Sequence, residues 1–317
     1  MIKVGIIGGA GYVAGELLRV LNNHPKIHID FVLSNSQNVK KVGDIHQDLW
    51  MLNLKFSDKV NPNVDLVFFC SGHGNTKPFL EGKYFSQETK IIDLSSDYRL
   101  DDKVVYGLPE WNKNEIKKAV LIANPGCFAT AIQLALMPLV SNNLLQSAIH
   151  INATTGSTGA GQNATQSTHN SWRNNNLSVY KAFTHQHLLE INKTFKSVQP
   201  EFNFEFNFIP QRGAFTRGIL ATLYTEIYRE LDEVVEVFQK AYQNENFVSV
   251  TTNNIHLKQV VNTNHCLIQI QKINGKILIT SVIDNLLKGA AGQAVQNMNL
   301  MFGLEEDCGL KLKANYF

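Results

Sequence analysis

Short apolar runs alternate with helical patterns over the first 127 residues. The apolar runs predict strands at Ile2–Ile7, Ile27–Leu33, Val64–Cys70, Lys90–Asp93 and Leu121–Ala123. Between them, apolar residues recur every three or four positions, which is the period of an amphipathic helix. Strands that alternate with helices form a parallel sheet, so this part of the chain is expected to be a Rossmann-type α/β domain.

A different pattern follows the helix that is predicted to begin at Cys127. The longer segments alternate apolar and polar residues, and predicted strands are 148–153, 202–209, 219–228, 267–272 and 276–283. Asn274-Gly275 separates the last two strands, a strong hairpin signal. Helices are predicted at 188–196, at 231–244 and from Asp284 to Gln296. The second domain is therefore expected to be a mixed-sheet α+β domain.

These patterns predict two domains that share the end of the chain. Residues 1–127 with 285–317 are assigned to a dinucleotide-binding domain, and residues 128–284 to a catalytic and oligomerisation domain. The last helix places Leu287, Ala291 and Val295 on one stripe, and its small residues allow close packing onto the first domain.

Composition narrows the possible functions. The chain has 317 residues, of which 44% are hydrophobic and 18% charged, enough to bury the cores of two domains. A net charge of +2 without a run of five basic residues gives no support for nucleic-acid or membrane binding. The four scattered cysteines lack zinc spacing, so we expect no metal site and a reducing, cytoplasmic location.

A glycine-rich segment joins the first strand to the first helix. Glycines at such a turn let the backbone approach a pyrophosphate, which then sits against the helix N-terminus. Two alignments to the dinucleotide fingerprint fit, one starting at Gly9 and a looser one at Gly8. The candidate cofactor-binding residues are Gly8, Gly9, Ala10, Gly11, Tyr12 and Val13.

The end of the second strand bears on the choice of cofactor. An acidic residue there usually binds the ribose 2′-hydroxyl of NAD, but this chain has Ser34-Asn35-Ser36, followed by Lys40-Lys41. We therefore predict NADP(H), with Ser34, Ser36 and Lys40 near the 2′-phosphate. The alternative is that the two lysines belong to a solvated loop.

Cys127 follows the turn Asn124-Pro125-Gly126 and opens an apolar helix. Amides and the dipole at a helix N-terminus lower a thiol pKa, and the thiolate is the nucleophilic form. A small buried cysteine is an equally good interpretation of this position.

Candidate acid/base and anion-binding residues lie further along. His187 and Glu190 share a helical face, so the carboxylate is placed to orient the imidazole, although an exposed histidine without a role fits the spacing as well. Anion-binding candidates are Arg99, Thr155, Gly156 and Arg217. Arg212 and Arg217 lie in one glycine-bearing connection, where two arginines are placed to clamp an anion. For Arg99 a structural ion pair is the alternative, and for the small-residue loop at 154–161 it is flexibility.

Together, these motifs resemble the N-acetyl-gamma-glutamyl-phosphate reductase family, the arginine-biosynthesis branch of the aspartate-semialdehyde dehydrogenase-like group. The resemblance covers nearly the whole chain and rests on Gly8–Leu17, Tyr106–Glu110, Asn124–Thr130, Thr184–His187, Arg217–Ile219 and Asp284–Gln296. It implies NADPH-dependent reduction of an acyl phosphate through a cysteine thioester.

The resemblance also implies residue roles. Cys127 is the nucleophile, His187 the acid/base, Glu190 and Tyr180 support it, and Asn285 joins the cofactor-binding residues. A small-molecule substrate and a homodimer or homotetramer, built through the second domain, are implied as well.

Two departures leave the substrate open. Many relatives carry His-Leu at the position of Gln211-Arg212 and Ser-Gly at that of Thr155-Gly156. The acyl group on the glutamyl nitrogen is therefore acetyl by default, with succinyl or a carrier-linked amine as alternatives. An aspartyl or aminoadipyl phosphate, a regulatory protein that lost catalysis, and His185 in the role of His187 also remain as alternatives.

Overall fold

The computed structural model describes residues 1–316, which form two compact units. Unit 1 comprises residues 1–126 and 290–311, and unit 2 comprises residues 127–289 and 312–316. Within residues 1–316, no helix combines the length and the apolar character needed to cross a membrane. The same residues contain no group of three His, Cys, Asp or Glu side chains placed to hold a metal ion.

The elements have the following bounds. The strands are β1 Ile2–Ile7, β2 Ile27–Leu33, β3 Leu66–Phe69, β4 Lys90–Asp93, β5 Val105–Tyr106, β6 Leu121–Ala123, β7 Ile149–Thr155, β8 Ser178–Val179, β9 Phe206–Arg212, β10 Ile219–Glu226, β11 Val248–Thr251, β12 Cys266–Ile273 and β13 Lys276–Ile283. The helices are α1 Tyr12–Asn22, α2 Val42–Ile45, α3 Thr76–Glu81, α4 Pro109–Lys118, α5 Cys127–Ser141, α6 Asn170–Arg173, α7 His187–Val198, α8 Leu231–Tyr242 and α9 Ala291–Met301. Short 3₁₀ turns occur at Gln47–Leu49, Ser157–Ala160, Gln166–Thr168 and Leu257–Gln259.

Unit 1 is built on a parallel six-stranded sheet in the order β2-β1-β3-β4-β6-β5. This is the doubly wound order, in which the carboxyl ends of the strands near β1 form a ligand crevice. The predicted Rossmann-type domain is confirmed. Helix α9 packs against α1 and α4, and every one of its residues is buried.

The last helix begins later than predicted. The apolar stripe suggested a start at Asp284, but the helix begins at Ala291. Asp284 Oδ1 instead accepts hydrogen bonds from the backbone N–H groups of Leu286 and Leu287, at 2.8 and 3.3 Å. A side-chain acceptor of this kind stabilises a turn in competition with a helix.

Unit 2 is built on a mixed seven-stranded sheet in the order β11-β12-β13-β10-β7-β9-β8. Helix α5 packs on β10, β12 and β13 and is buried from Phe128 to Val140, because its sequence is apolar all round. The Tyr242 hydroxyl at the end of α8 donates to the Leu134 carbonyl of α5, at 2.6 Å. The predicted hairpin at Asn274-Gly275 is confirmed, with both residues at positive φ.

Other bounds also differ from the prediction. Strand β9 spans Phe206–Arg212 rather than the predicted 202–209. Phe202 packs against Phe195, with ring centroids 5.3 Å apart. The apolar side chain at residue 202 therefore contributes to this ring cluster and lies outside the strand.

The end of the chain belongs to unit 2. The sequence prediction placed 285–317 wholly in the first domain, whereas residues 285–289 and 312–316 lie in unit 2. The Asn315 N–H donates to the Val261 carbonyl at 3.0 Å, and the Asn262 amide donates to the Lys313 carbonyl at 2.9 Å. These hydrogen bonds attach the tail to the segment that precedes β12.

Candidate active site

Cys127 is the first residue of α5, and its side chain is partly exposed. None of the four cysteines is in a disulfide. Gly289 lies against Cys127: a Cβ atom at residue 289 would stand 2.8 Å from Cys127 Cβ and 2.6 Å from the Asn285 carbonyl oxygen. Only glycine leaves this space for the thiol, which lies where helix N-terminal amides favour the thiolate.

The ring of Phe128 brings two histidines to the same end of α5. Its centroid lies 5.4 Å from the His185 ring and 6.1 Å from the His187 ring, and the two imidazoles are 4.6 Å apart. Phe208 of β9 also packs on Phe128, at 5.4 Å. Residues separated by about 60 positions in sequence therefore share one cluster beside Cys127.

The two histidines differ in their environment. His187 Nε2 lies 3.8 Å from Glu190 Oε1 on α7, and both side chains are buried. His185 Nδ1 accepts a hydrogen bond from the His187 backbone N–H at 3.2 Å, so this nitrogen carries no proton. Burial, helped by the positive charges of Lys181 and Arg212, lowers the pKa of His185 to about 4. His185 is therefore neutral at neutral pH.

Tyr180 lies between the histidines and an arginine. Its ring is 5.8 Å from the His185 ring, and the Arg212 guanidinium carbon is 4.6 Å from its centroid. Burial, with the charge of Cys127, raises the pKa of Tyr180 to about 12, although Arg212 opposes the shift. The phenol therefore keeps its proton.

The turn between Tyr180 and the histidines adopts an unusual backbone conformation. Lys181 and Phe183 have φ of 45° and 58°, a region that side chains other than glycine rarely occupy. The Phe183 N–H donates to the Phe208 carbonyl at 2.8 Å, which fixes the turn to β9. Strain of this kind persists where the surrounding structure imposes it, often at functional sites.

The structure gives Arg217 and Asn285 structural partners. Arg217 pairs with the fully buried carboxylate of Asp284, with Nη2–Oδ2 at 2.9 Å and Nε–Oδ2 at 3.1 Å. The Asn285 side chain accepts from the Gly218 N–H at 2.7 Å and donates to Thr158 Oγ1 at 3.0 Å. Both side chains therefore hold segments of unit 2 together, and the predicted contacts of Arg217 with substrate and of Asn285 with cofactor stay predictions.

Arg99 belongs to unit 1 and is also engaged. Its Nε donates to the Asn124 carbonyl at 2.9 Å and its Nη2 to the Leu94 carbonyl at 3.1 Å. The side chain is buried. These contacts join the ends of β4 and β6. The anion-binding role of Arg99 stays a prediction.

Thr155 and Gly156 end β7 within unit 2. Thr155 is 1% exposed, and its Oγ1 has no hydrogen-bond partner in the described residues. The Gly156 N–H donates to the Gly218 carbonyl at 3.0 Å, and a Cβ atom at residue 156 would stand 2.3 Å from the Thr216 carbonyl oxygen. Gly156 is therefore required for close approach of two backbones.

The glycine-rich turn of unit 1 fits a dinucleotide. Gly8 has a φ of +80°, and a Cβ there would stand 2.5 Å from the Ser71 backbone. Gly11 precedes α1, and no atom lies within 4 Å of the position its Cβ would take. No side chain caps the N-terminus of α1. Open space beside uncapped helix amides is the arrangement that binds a pyrophosphate.

The residues after β2 are polar, as predicted. Ser34 is buried with its Oγ 3.4 Å from that of Ser36. Lys40 is exposed and donates to Gln37 Oε1 at 2.9 Å. His46 was not predicted: its Nε2 lies 2.8 Å from the Gly9 carbonyl oxygen, and its ring would collide with any side chain at Gly15.

Two residues of unit 2 beside the site were not predicted. Gly289 supports the thiol, but nothing in the sequence separates it from neighbouring small residues. Arg173 gave no signal in the sequence. Arg212 had two signals, as one of two arginines in a glycine-bearing connection suited to an anion and as a departure from the family pattern.

This fold and site define an oxidoreductase of the semialdehyde dehydrogenase class, with a nicotinamide-cofactor-binding domain and an oligomerisation domain. Residues 3–119 match the family described as semialdehyde dehydrogenase, NAD binding domain, and residues 127–285 match the semialdehyde dehydrogenase dimerisation domain. Aspartate semialdehyde dehydrogenase II of Vibrio cholerae, complexed with ASA, superposes with a TM-score of 0.75 at 17% identity, covering 96% of this chain and 98% of the other. The Francisella tularensis aspartate semialdehyde dehydrogenase gives 0.72 at 18% identity, covering 95% and 100%. At such identities the likeness concerns the fold.

Sequence relatives narrow the class. A Christiangramia forsetii protein is 56% identical over 321 residues, and one from Flavobacterium johnsoniae is 56% identical over 325 residues, each covering all of both chains. A Bacteroides fragilis protein is 52% identical, again over both full lengths. All three are named N-acetyl-gamma-glutamyl-phosphate reductase. The chain belongs to the N-acetyl-gamma-glutamyl-phosphate reductase family.

Proposed function

We propose that this chain reduces N-acetyl-L-glutamyl 5-phosphate to N-acetyl-L-glutamate 5-semialdehyde, with NADPH as reductant and release of phosphate, in arginine biosynthesis. The observation that carries the proposal is the position of Cys127 at the first residue of α5, beside the Phe128, His185 and His187 ring cluster. A thiol at a helix N-terminus next to buried imidazoles suits covalent acyl transfer.

Cys127 acts as the nucleophile. Its thiolate attacks the acyl carbon of the substrate, the bond from that carbon to the phosphate oxygen breaks, and phosphate leaves with the bonding electrons. The product is a thioester on Cys127. Backbone N–H groups at the start of α5 face the carbonyl oxygen that becomes negative and stabilise it.

The nicotinamide, when bound, supplies the hydride that reduces the thioester carbon. The chain then handles the proton: His187 protonates the resulting oxygen and takes the proton back as the carbon–sulfur bond breaks. The aldehyde leaves, and the thiolate of Cys127 is restored. Glu190, 3.8 Å from His187, orients the imidazole and stabilises its protonated form.

We assign the acid/base role to His187 rather than His185. A general base works best with a pKa near the operating pH. The pKa of His185, lowered to about 4 by burial, is too far from neutrality, and its Nδ1 already accepts from the His187 backbone. His185 and Tyr180 therefore position His187 and close the site on one side.

NADPH is proposed over NADH because of the residues that follow β2. Ser34 and Ser36 leave the site without the carboxylate that would repel a 2′-phosphate, and Lys40 is exposed nearby in sequence. Asp30 inside β2 accepts a hydrogen bond from the Asn61 side chain at 2.8 Å, which engages it elsewhere. A higher kcat/KM with NADH than with NADPH would contradict this choice.

The assembly is proposed to be a homodimer or homotetramer formed through unit 2, in keeping with the dimerisation-domain match. A cytoplasmic location suits the chemistry, because the Cys127 thiol has to stay reduced. Among alternative substrates, aspartyl phosphate is disfavoured by the names of the full-length relatives, and an N-succinyl or carrier-linked glutamyl phosphate uses the same chemistry.

The reverse reaction tests the proposal. The purified chain is incubated with N-acetyl-L-glutamate 5-semialdehyde, phosphate and NADP⁺, and NADPH formation is followed by absorbance. We expect phosphate-dependent turnover that is lost in Cys127→Ser and falls about 100-fold or more in kcat in His187→Asn. Cys308→Ser, in unit 1, is the matched control and should retain activity.

Two outcomes would reject parts of the proposal. Turnover retained by Cys127→Ser would remove the nucleophile, and a larger loss in His185→Asn than in His187→Asn would exchange the histidine roles. NADPH binding, measured by fluorescence, should survive in Cys127→Ser, His185→Asn and His187→Asn, because all three residues belong to unit 2.

A further inference from the structure

Two arginines of unit 2, Arg173 and Arg212, lie close together, and Arg212 packs on the Tyr180 ring. Strand β8 pairs with β9 so that Ser178 stands opposite Arg212. The Arg173 Nη2 donates to Ser178 Oγ at 3.1 Å and to the Asn176 carbonyl at 3.3 Å. Residues opposite each other in an antiparallel pair have Cβ atoms about 5 Å apart, so Ser178 holds Arg173 close to Arg212.

Neither arginine has an acidic partner among residues 1–316. Arg173 is 7% exposed, and its Nε and Nη1 have no hydrogen-bond acceptor in the part of the chain described. The Nε of Arg212 is likewise buried without an acceptor. Burial, together with the positive charge of Arg212, lowers the pKa of Arg173.

Such an arrangement is unfavourable without an anion. A buried guanidinium that lacks a counter-charge costs several kcal/mol, and two neighbouring cations repel each other. The unused N–H groups form part of the planar fork that binds carboxylates in a bidentate manner. An external carboxylate would satisfy the donors and the charge at the same time.

We propose that Arg173 and Arg212 form a carboxylate-binding subsite for the substrate. The inference rests on the proposed function and deepens it, because N-acylglutamyl substrates carry a carboxylate that does not react. The carboxylate is either the α-carboxylate of the glutamyl group or the distal carboxylate of a dicarboxylic N-acyl group such as succinyl.

The position of the pair favours this ligand over the phosphate. Arg212 contacts the Tyr180 ring, and Tyr180 in turn contacts His185, so aromatic rings separate the guanidinium from the histidine pair. The phosphate has to leave from the carbon attacked by Cys127, at the start of α5. The Tyr180 ring lies between Arg212 and the histidines, so a substrate group bound by Arg212 is a different part of the substrate from the phosphate.

Steady-state kinetics with two aldehydes tests the subsite. Arg212→Met, Arg212→Lys and Arg173→Met are compared with wild type on N-acetyl- and N-succinyl-L-glutamate 5-semialdehyde, with phosphate and NADP⁺ saturating. We expect KM for the aldehyde to rise about 10- to 100-fold in the Met variants, because a charge-assisted pair is lost, while kcat changes less than about threefold. Arg212→Lys, which keeps the charge without the fork, should be intermediate.

The two aldehydes identify which carboxylate is bound. Equal increases in KM for both assign the subsite to the α-carboxylate, and an increase only for the N-succinyl compound assigns it to the distal carboxylate. Arg229→Met, at an exposed arginine paired with Glu233, is the matched control and should leave KM unchanged.

Other outcomes would overturn the subsite. KM for both aldehydes unchanged in the Met variants removes it. In a second series with phosphate varied at saturating aldehyde, an increase confined to KM for phosphate reassigns the pair to the leaving group. Circular dichroism shows whether each variant is folded, and Arg212→Lys carries the test if a Met variant is not. Absence of turnover by wild type with either aldehyde would instead reject the proposed function.

Discussion

The burial of His185 makes stability depend on pH. In the unfolded chain a histidine titrates near its ordinary pKa of about 6.5, whereas burial lowers the pKa of His185 in the folded protein to about 4. The unfolded state therefore binds more protons between these two values, and the folded state loses stability as the pH falls from about 6.5 towards 4. Full stability from this group is present above pH 6.5.

The size of the effect follows from the two pKa values. A difference of about 2.5 units corresponds to about 3 kcal/mol when the pH lies below both values. At about pH 5 the pH lies roughly 1.5 units below the pKa of histidine in the unfolded chain, so the folded state has lost about 2 kcal/mol of stability from this group. In His185→Asn this contribution disappears, while the amide oxygen can still accept from the His187 N–H in the place of Nδ1.

Urea unfolding at about pH 7.5 and about pH 5, at fixed protein concentration, measures the effect. We expect the loss of unfolding free energy between the two pH values to be about 2 kcal/mol smaller in His185→Asn than in wild type. The comparison with wild type is needed because burial also lowers the pKa of His24 and of His265. His28→Asn, on the exposed part of β2, is the control, and an equal loss in His185→Asn and wild type would refute the reasoning.

Substitutions at three further residues test the packing at Cys127, the buried ion pair and the backbone strain. In Gly289→Ala the new methyl group would stand 2.8 Å from Cys127 Cβ, so the free energy of unfolding should fall by about 1–3 kcal/mol. The kcat should fall as well, because the methyl group displaces the thiol. An unchanged kcat would show that the thiol tolerates displacement. Asp284→Asn removes the buried charged partner of Arg217 and should lower the free energy of unfolding in urea by about 3 kcal/mol. A decrease below about 1 kcal/mol would mean that the ion pair is dispensable. Phe183→Gly should be about 1 kcal/mol more stable than Phe183→Ala, because φ is 58°; equal stabilities would argue against strain at this residue.

Local signals in the sequence predicted much of the fold. The strands Ile2–Ile7, Ile27–Leu33 and Lys90–Asp93 have the predicted bounds, because each is an apolar run between turn residues. The start of α5 at Cys127 followed from the Asn124-Pro125-Gly126 turn. In these places the nearest neighbours in sequence determine the local structure.

The parts that the sequence did not reveal depend on contacts between distant segments. The ion pair of Arg217 was not visible because its partner Asp284 lies 67 positions away. Asp284 also looked like the start of a helix, since the apolar stripe continues through the turn that its carboxylate stabilises. The His187 and Glu190 pair was visible as a helical spacing, but its place beside Phe128 was not.

Helix α9 has a consequence for how the protein is made. Its side chains complete unit 1: Asn297 donates to the Gly107 carbonyl at 2.9 Å, and Asn299 Oδ1 lies 3.0 Å from His24 Nε2. A ribosome synthesises Gly107 and His24 well before α9, with the whole of residues 127–289 in between. At about 5–20 residues per second, the first strands wait on the order of ten seconds or more for their last packing partner. Until then the surface of unit 1 that α9 covers stays open, whereas all strands of the unit 2 sheet are made before α9.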